Sequence, residues 1–287
     1  MFSTQNPQKF LCAPLTASVT AHSFQGEFPM TENFAEALSK HKRSPKLHLM
    51  REKGRTPVNI KMPFVGTLHT RVDALADGLR PGSSSLEPER LALHELFSAY
   101  PNIEDLSVSV NRVRSGCVMG GPPPTTRLLP LTLSENETFP PIRRLSMSGY
   151  KFNGEESLWR DRFQWHKLRS LSTSAHESSG FLDIATGNIQ RLTELIIANY
   201  APDPPMKLDV FLSSFHTLES LTVTQTPPSL SALACHVKLK HLVLHQIEEP
   251  NEERSTLNAT DITNLNQVCP NIRSLELDLN PNGTWVS

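Results

Sequence analysis

Residues 216–223 read HTLESLTV, with leucine at positions 218 and 221 and valine at position 223. The same spacing, apolar-x-x-apolar-x-apolar, recurs in six other segments of the chain. The seven segments are PNIEDLSV (101–108), PPIRRLSM (140–147), HKLRSLST (166–173), QRLTELII (190–197), HTLESLTV (216–223), VKLKHLVL (237–244) and PNIRSLEL (270–277). Their first apolar positions lie 39, 26, 24, 26, 21 and 33 residues apart. The four central intervals fall within or next to a solenoid repeat period of roughly 20–29 residues.

The pattern predicts a strand in each segment, although the L-x-x-L spacing by itself would also suit an amphipathic helix. Pro101, Pro141 and Pro270 stand just before the pattern, and the runs SVSV, LTVT and LIIA favour strand. Because side chains alternate between the faces of a strand, the last two apolar positions both enter the core. One such strand cannot bury its apolar face alone, so the copies are predicted to stack into a parallel sheet.

Helices are predicted over residues 84–100, 203–215 and 258–269, each ending just before a strand. The first opens with the capping-box spacing of Ser84 and Glu87, and the second with Asp203 followed by Pro204. The apolar stripes are Leu93, Leu96, Phe97 and Tyr100; Leu208, Phe211, Leu212 and Phe215; and Ile262, Leu265, Val268 and Cys269. The order helix, turn, strand predicts a parallel α/β arrangement.

Two of the segments extend to an asparagine and resemble the leucine-rich-repeat signature. They are Ile103-x-x-Leu106-x-Val108-x-x-Asn111 and Ile272-x-x-Leu275-x-Leu277-x-x-Asn280. The resemblance implies an irregular solenoid, or horseshoe, with a parallel concave sheet and helices on the convex side. It also implies that the asparagine hydrogen-bonds backbone in the turn after the strand. The other five segments carry Tyr150, His176, Tyr200, Thr226 and Ile247 at that place, so the asparagine ladder is incomplete.

Openings such as CPNI, FPPI and YPNI give residues 86–280 a resemblance to the repeat region of fungal F-box-type proteins. Those proteins bind the adaptor of a cullin-based ubiquitin ligase through an N-terminal motif that begins like L-P-x-E-I. The nearest string here is Phe28-Pro29-Met30-Thr31-Glu32, and the apolar residues that should follow it are sparse. The adaptor is therefore expected as a partner only if a divergent F-box exists.

The domain organisation predicted is a poorly ordered or irregular segment over residues 1–43 and a repeat solenoid over residues 44–287. Residues 111–138, which include the run GGPPP at 120–124, are interpreted as a loop insertion. Residues 40–55 carry seven basic side chains against Glu52. This stretch is either a localisation or anion-binding patch, or a solvated surface around a degraded first repeat (47–49, then 58–60).

The resemblance also predicts where a protein partner would bind. Side chains that alternate with the core leucines point out along the concave sheet, unless that face is merely solvated. The predicted site residues are Ser107, Ser109, Ser146, Ser148, Ser172, Ser174, Ile196, Ala198, Thr222, Thr224, Val243, His245, Glu276 and Asp278. Small hydroxyls dominate this set, and the aromatic residues typical of binding hot spots are missing from it.

Composition argues against several other classes of function. The chain has 28 basic and 29 acidic residues, so it lacks the charge that attracts nucleic acid. No stretch approaches ~20 apolar residues, and no membrane span or secretory signal is predicted. The cysteines at 12, 117, 235 and 269 form no CxxC, which favours a reduced, intracellular (cytoplasmic or nuclear) protein with buried thiols.

Catalytic, metal and cofactor motifs are not predicted. His94-Glu95 begins a string like that of zinc proteases, but Ser98 stands where the second histidine is needed. His241 and His245 share a strand face without a third ligand in the sequence. The sequence thus favours a non-catalytic protein-interaction scaffold. The alternatives are a truncated or degenerate repeat protein without stable function, and an α/β enzyme of unrecognised type.

Overall fold

A computed structural model describes most of the segments that carry the pattern. The described residues are 23–24, 32–40, 47–51, 61–76, 93–112, 126–127, 131, 133–135, 137–150, 152, 154–200, 206–245 and 259–278. The run GGPPP, residues 58–60, Ile247 and Asn280 lie outside these ranges, so the predictions made for them stay predictions.

The described strands form one open sheet in which strand follows strand along the chain. They are β1 (Ser23–Phe24), β2 (Leu47–Arg51), β3 (Val65–Ala76), β4 (Asp105–Arg112), β5 (Thr126–Arg127), β6 (Arg144–Ser148), β7 (Ser170–Ser174), β8 (Glu194–Tyr200), β9 (Ser220–Gln225), β10 (His241–His245) and β11 (Ser274–Leu277). The order is β1-β2-β3-β4-β6-β7-β8-β9-β10-β11, and each neighbouring pair is parallel. Only the short β5 departs from this path, pairing antiparallel with β3. The prediction that the seven segments are adjacent parallel strands is confirmed.

A single row of leucines crosses the sheet from β2 to β11. In register, its members are Leu49, Leu68, Leu106, Leu145, Leu171, Leu195, Leu221, Leu242 and Leu275. From Leu68 to Leu242 each is 0–2 % exposed, which confirms the predicted core positions. Thr173 is also buried, so the third position of the pattern faces the core even where it is not apolar.

Strand β3 is an eighth copy that the sequence interpretation missed. Val65, Leu68 and Thr70 have the same spacing as the seven segments, and all three are buried. Leu68 pairs with Leu106 and Thr70 with Val108 in the register of the sheet. The signal was present, since Thr70 stands at the third position just as Thr173 does in the recognised segment of β7.

The helices occupy the crossovers between strands. They are α1 (Glu32–Ser39), α2 (Leu93–Ala99), α3 (Glu156–Arg162), α4 (Ala175–Ala185), α5 (Met206–Ser213), α6 (Leu230–Ala234) and α7 (Ala259–Val268), with a 3₁₀ turn at Trp165–Lys167. Helices α2, α5 and α7 confirm the described parts of the three predicted helices, whose predicted starts at 84–92, 203–205 and 258 lie outside the described residues. The stripes of α2 and α5 are buried, whereas Ile262 and Val268 of α7 are only partly buried. Helices α3, α4 and α6 were not predicted.

A backbone hydrogen-bond ladder joins successive repeats where the chain enters each strand. The N–H of Arg169 donates to the carbonyl of Arg143, 2.7 Å away, and the carbonyl of Arg169 accepts from the N–H of Thr193 at 2.8 Å. In the same way, the N–H groups of Glu219, Lys240 and Arg273 each donate to the carbonyl of the preceding residue of the ladder, at 2.7–2.8 Å. Because the main chain supplies these bonds, the repeats are joined without an asparagine at each rung.

The expected role of Asn111 is wrong. Strand β4 runs on to Arg112, and Asn111 lies inside it, paired with Asp73 of β3. The asparagine is therefore in a strand and not in a turn after it, because β3 and β4 continue together beyond the end of β6. The leucine-rich-repeat ladder does not begin at this position.

The predicted insertion ends in an extended segment that packs on α3. Its described residues, 131, 133–135 and 137–140, are called the strap here, and they precede β6 where other crossovers place a helix. The Arg162 guanidinium reaches the carbonyls of Ser134, Glu135 and Glu137, and Gln164 donates to the carbonyl of Phe139 at 2.7 Å. Phe139 is buried within 4.5 Å of Trp159, measured between ring centroids. The strap therefore fills the helix layer at this repeat.

The sheet also extends before the predicted boundary at residue 43. Strand β1 and helix α1 both lie within residues 1–43, and Ser23 and Phe24 pair with His48 and Leu49 of β2. Ala35 of α1 belongs to the same cluster of buried residues as the strand leucines. These described parts of the N-terminal segment thus join the sheet and its core.

Candidate functional site

The sheet surface opposite the buried leucine row is called the open face here. Along β7 and β10, for example, buried core residues alternate with residues that are half-buried or exposed on the opposite face. The predicted site residues occupy the outward positions of β4 and β6–β11, with Asp278 directly after β11. Ser148 and Glu276 are exposed and the others are half-buried. Their predicted outward orientation is therefore confirmed, whereas their role in binding is not tested by this geometry.

Register aligns the outward residues into rows that cross the sheet. The middle row is Ser107, Ser146, Ser172, Ile196, Thr222, Val243 and Glu276. A row at the strand starts runs Asp105, Arg144, Ser170, Glu194, Ser220, His241 and Ser274. Residues far apart in the sequence thus become neighbours at the roughly 4.8 Å spacing of strands.

On β4, β6 and β7 the open face is almost entirely serine. This serine patch consists of Ser107, Ser109, Ser146, Ser148, Ser170, Ser172 and Ser174. Serine side chains are short, so the patch is polar, carries no charge and rises little above the backbone of the sheet. A partner could approach the backbone here more closely than over longer side chains.

The charged groups beside the serine patch neutralise each other. Arg144 Nε lies 2.8 Å from Asp105 Oδ1, and its Nη2 contacts the other carboxylate oxygen. Thr67 Oγ1 donates to the same carboxylate at 3.2 Å. The hydrogen bonds to Asp105 raise the pKa of the Arg144 guanidinium further, so the arginine stays charged at any physiological pH. The pair links β4 to β6, 39 residues apart in sequence, a contact that the pattern did not predict.

Across β8, β9 and β10 the open face is less polar. Ile196, Thr222 and Val243 are neighbours in the middle row. Beyond them His245 Nδ1 lies 3.1 Å from Asp278 Oδ1, and its Nε2 lies 3.7 Å from Glu276 Oε2. From β4 to β11 the open face therefore changes from neutral hydroxyls to an apolar strip, and then to a histidine with two carboxylates.

Two buried polar groups lie on the helix side of the sheet, away from the open face. Glu155 accepts a hydrogen bond from the Tyr150 hydroxyl at 2.5 Å and one from the Leu131 N–H at 2.5 Å. Burial raises the pKa of Glu155, and burial with the nearby Glu155 carboxylate raises that of Tyr150. These bonds tie the strap to the start of α3. No sequence pattern predicts these hydrogen bonds, because their partners are brought together only by packing.

His236 is the second such group. Its side chain is fully buried at the end of α6, with a ring-centroid distance of 5.1 Å to Phe215, and neither ring nitrogen has a hydrogen-bond partner. Burial, with the nearby His216 charge, lowers the pKa of His236 to about 4. The ring is therefore neutral at physiological pH.

The candidate ligands and thiols identified in the sequence do not converge. Within the described ranges, no group of three or more His, Cys, Asp or Glu side chains is arranged to hold a metal ion. His241 and His245 share the open face of β10 as predicted. Cys269 is buried, which raises its thiol pKa, and Cys235 is half-buried; both are free thiols in the helix layer. Cys12 and Cys117 lie outside the described residues.

Comparison with known proteins does not identify a family, since no family model and no curated protein matches the chain. No helix in the described part of the chain is both long and apolar enough to cross a membrane.

Proposed function

We propose that the chain is a non-catalytic protein-binding scaffold, an irregular leucine-rich-repeat solenoid whose open face receives the partner. One observation carries the proposal: the parallel register brings outward side chains of seven strands into continuous rows on a surface that no described helix covers. The fold supports the solenoid interpretation because every described strand except β5 follows its predecessor in the sheet, and the leucine row is unbroken from Leu49 to Leu275.

The size of the open face suits a protein partner. Seven strands at about 4.8 Å, each with three outward residues about 6.6 Å apart, give a surface of roughly 700 Å². A standard protein interface buries about 800 Å² on each partner. The open face can therefore supply most of one side of such an interface.

The chemistry of the open face indicates which kinds of side chain a partner must contribute to the interface. The three outward positions counted on each described strand carry no tryptophan or tyrosine, and Arg144 is held by Asp105. Anchoring aromatic or long side chains would thus come from the partner, and the low serine patch leaves room for them. The apolar strip at Ile196 and Val243 would provide the desolvated centre.

Photo-crosslinking tests this proposal. A benzophenone amino acid placed at Ser172 or Thr222 should form covalent adducts with one protein in the native cell, whereas the same group at the exposed Ser213 on α5 should not. Ser146→Arg should abolish the Ser172 adduct because a long charged side chain would fill the serine patch. Adducts from Ser213 alone, or Ser172 adducts that survive Ser146→Arg, would contradict the assignment of the open face.

Substrate recognition in a cullin-based ubiquitin ligase is a narrower form of this proposal, and only the resemblance of the repeats to those of F-box-type proteins supports it. Co-precipitation of the ligase adaptor with the full chain tests it. An adaptor band that persists after open-face substitution would support a separate adaptor site. If the adaptor does not co-precipitate, the proposal is reduced to a scaffold that acts outside the ligase. The free thiols of Cys235 and Cys269 are consistent with an intracellular location for that scaffold.

The principal alternative is a degenerate repeat protein without stable function. The buried cluster that joins Ala35 to Cys269 through β3, β4 and β6–β10 argues for one cooperative unit instead. A single sharp thermal transition is therefore expected from the purified chain, and a broad, non-cooperative one would favour the alternative.

A further inference from the structure

The last strand of the sheet, β11, leaves its core side partly uncovered. Leu275 is 40 % exposed, whereas the other described leucines of its row, from Leu68 to Leu242, are 0–2 % exposed. Ile272 and Leu277 are only partly buried, whereas their counterparts in the preceding repeat, Leu239 and Leu244, are 0 % and 7 % exposed. The missing cover is that of one further strand, since each earlier leucine is covered by the next strand in the row.

The outer edge of β11 also offers backbone hydrogen bonds. The N–H of Ser274 donates to the carbonyl of Lys240, 3.0 Å away, and so points towards β10. Backbone groups alternate sides along a strand, so those of Leu275 and Leu277 point away from β10. No described strand pairs with that side of β11. An exposed edge of this kind is a template for an added strand.

The charges on β11 oppose a second copy of the chain at this edge. In antiparallel pairing of two β11 strands, a register with Leu277 opposite Leu275 of the copy puts Glu276 opposite itself, and a register with Leu277 opposite Leu277 puts Glu276 opposite Asp278. The register with Leu275 opposite Leu275 avoids these contacts but puts the charged Arg273 opposite Leu277. Like charges directly opposite each other destabilise a pair of strands. Glu276, whose side chain is 60 % exposed, therefore disfavours self-association and favours a basic strand.

We propose that the outer edge of β11 binds an extended segment of another protein in which apolar residues alternate with lysine or arginine. The apolar residues would cover Leu275 and Leu277, and the basic residues would face Glu276 on the open side of the sheet. The segment would add one strand to the sheet through the outward backbone groups of Leu275 and Leu277. This site is separate from the open-face proposal and does not rest on it.

Fluorescence anisotropy on the full chain tests the site with three labelled peptides of about seven residues, a length that spans an ordinary strand. One alternates lysine with valine, one alternates glutamate with valine, and one is the lysine peptide with proline at its central valine. We expect the lysine peptide to bind and the glutamate peptide to bind at least about tenfold more weakly, because attractive cross-strand charge pairs become repulsive. The proline peptide should lose binding, because proline cannot donate to the ladder.

A matched pair of variants locates the binding. Glu276→Lys should weaken the lysine peptide about tenfold, while Asp161→Lys, the same charge change on the distant α3, should leave it unchanged. Three results would overturn the proposal: no binding of the lysine peptide, equal binding of the proline peptide, or equal effects of the two variants. Sedimentation that shows a dimer dissociated by Leu275→Arg would also overturn it, since a second copy would then occupy the edge.

Discussion

Replacing one leucine of the buried row measures how much the stacked repeats depend on it. Leu171 is 0 % exposed and pairs in register with Leu145 on one side and Leu195 on the other. Leu171→Ala removes three carbon atoms, about 2.5 kcal/mol at ~0.8 kcal/mol each. A cavity between two strands that cannot collapse adds to this cost, so the free energy of unfolding should fall by about 3–5 kcal/mol.

The adjacent residue is a matched control for this substitution. Ser172 lies on the open face of the same strand, so Ser172→Ala should change the free energy of unfolding by no more than about 0.5 kcal/mol. Urea unfolding can be followed by the fluorescence of Trp159 and Trp165, both buried near this repeat. Comparable losses for the two variants, or a loss under about 1 kcal/mol for Leu171→Ala, would refute the assignment of inward and outward positions.

Other perturbations test the strap, one turn and one buried histidine. Glu155→Ala should cost about 3 kcal/mol, because the Tyr150 hydroxyl and Leu131 N–H lose their buried acceptor, and it should speed hydrogen exchange in the strap more than Glu156→Ala does. Gly149→Ala should lower the melting temperature more than Gly154→Ala. Both glycines have positive φ, but an added Cβ at Gly149 would lie 2.7 Å from the Val110 carbonyl oxygen, and at Gly154 it meets nothing within 4 Å. His236 protonates in the unfolded chain near pH 6.5 but in the folded chain only near pH 4. The free energy of unfolding should therefore decline by about 3 kcal/mol as the pH falls through this window. Denaturation at several pH values should show that the free energy of unfolding declines less steeply with falling pH in His236→Leu than in the unsubstituted chain. The same pH dependence in both would contradict a buried, neutral ring.

The sequence was sufficient to predict β4, β6–β11 and their outward residues, because both follow from local spacing. Leu218, Leu221 and Val223 alternate with polar residues, so their faces follow from strand geometry before any partner strand is known. Helices α2 and α5 were predictable for the same reason, since their stripes recur at helical spacing. Helix α3 is as short as α2, but its apolar residues Leu158 and Trp159 are adjacent and form no stripe at helical spacing. Helix α6 spans only five residues, too few for a helical period to stand out.

Contacts between distant repeats could not be predicted, because they depend on register and crossover length. The pair of Asp105 and Arg144 requires β4 and β6 to be neighbours despite the insertion between them. The misplacement of Asn111 has the same origin: the signature fixes its distance from Leu106, but the length of β3 decides that β4 continues past it. The burial of Glu155 likewise depends on the strap, which occupies a position that a helix fills in other repeats.

Spin-label distances along the middle row test most directly whether the repeats lie side by side in one sheet. With native cysteines replaced, nitroxides at Ser107 and Thr222 span four strand intervals, and those at Ser107 and Glu276 span six. At about 4.8 Å per interval the distances should be roughly 19 and 29 Å, increasing with the number of strands between the labels. Distances that do not follow the strand order would contradict a parallel stack with a shared core.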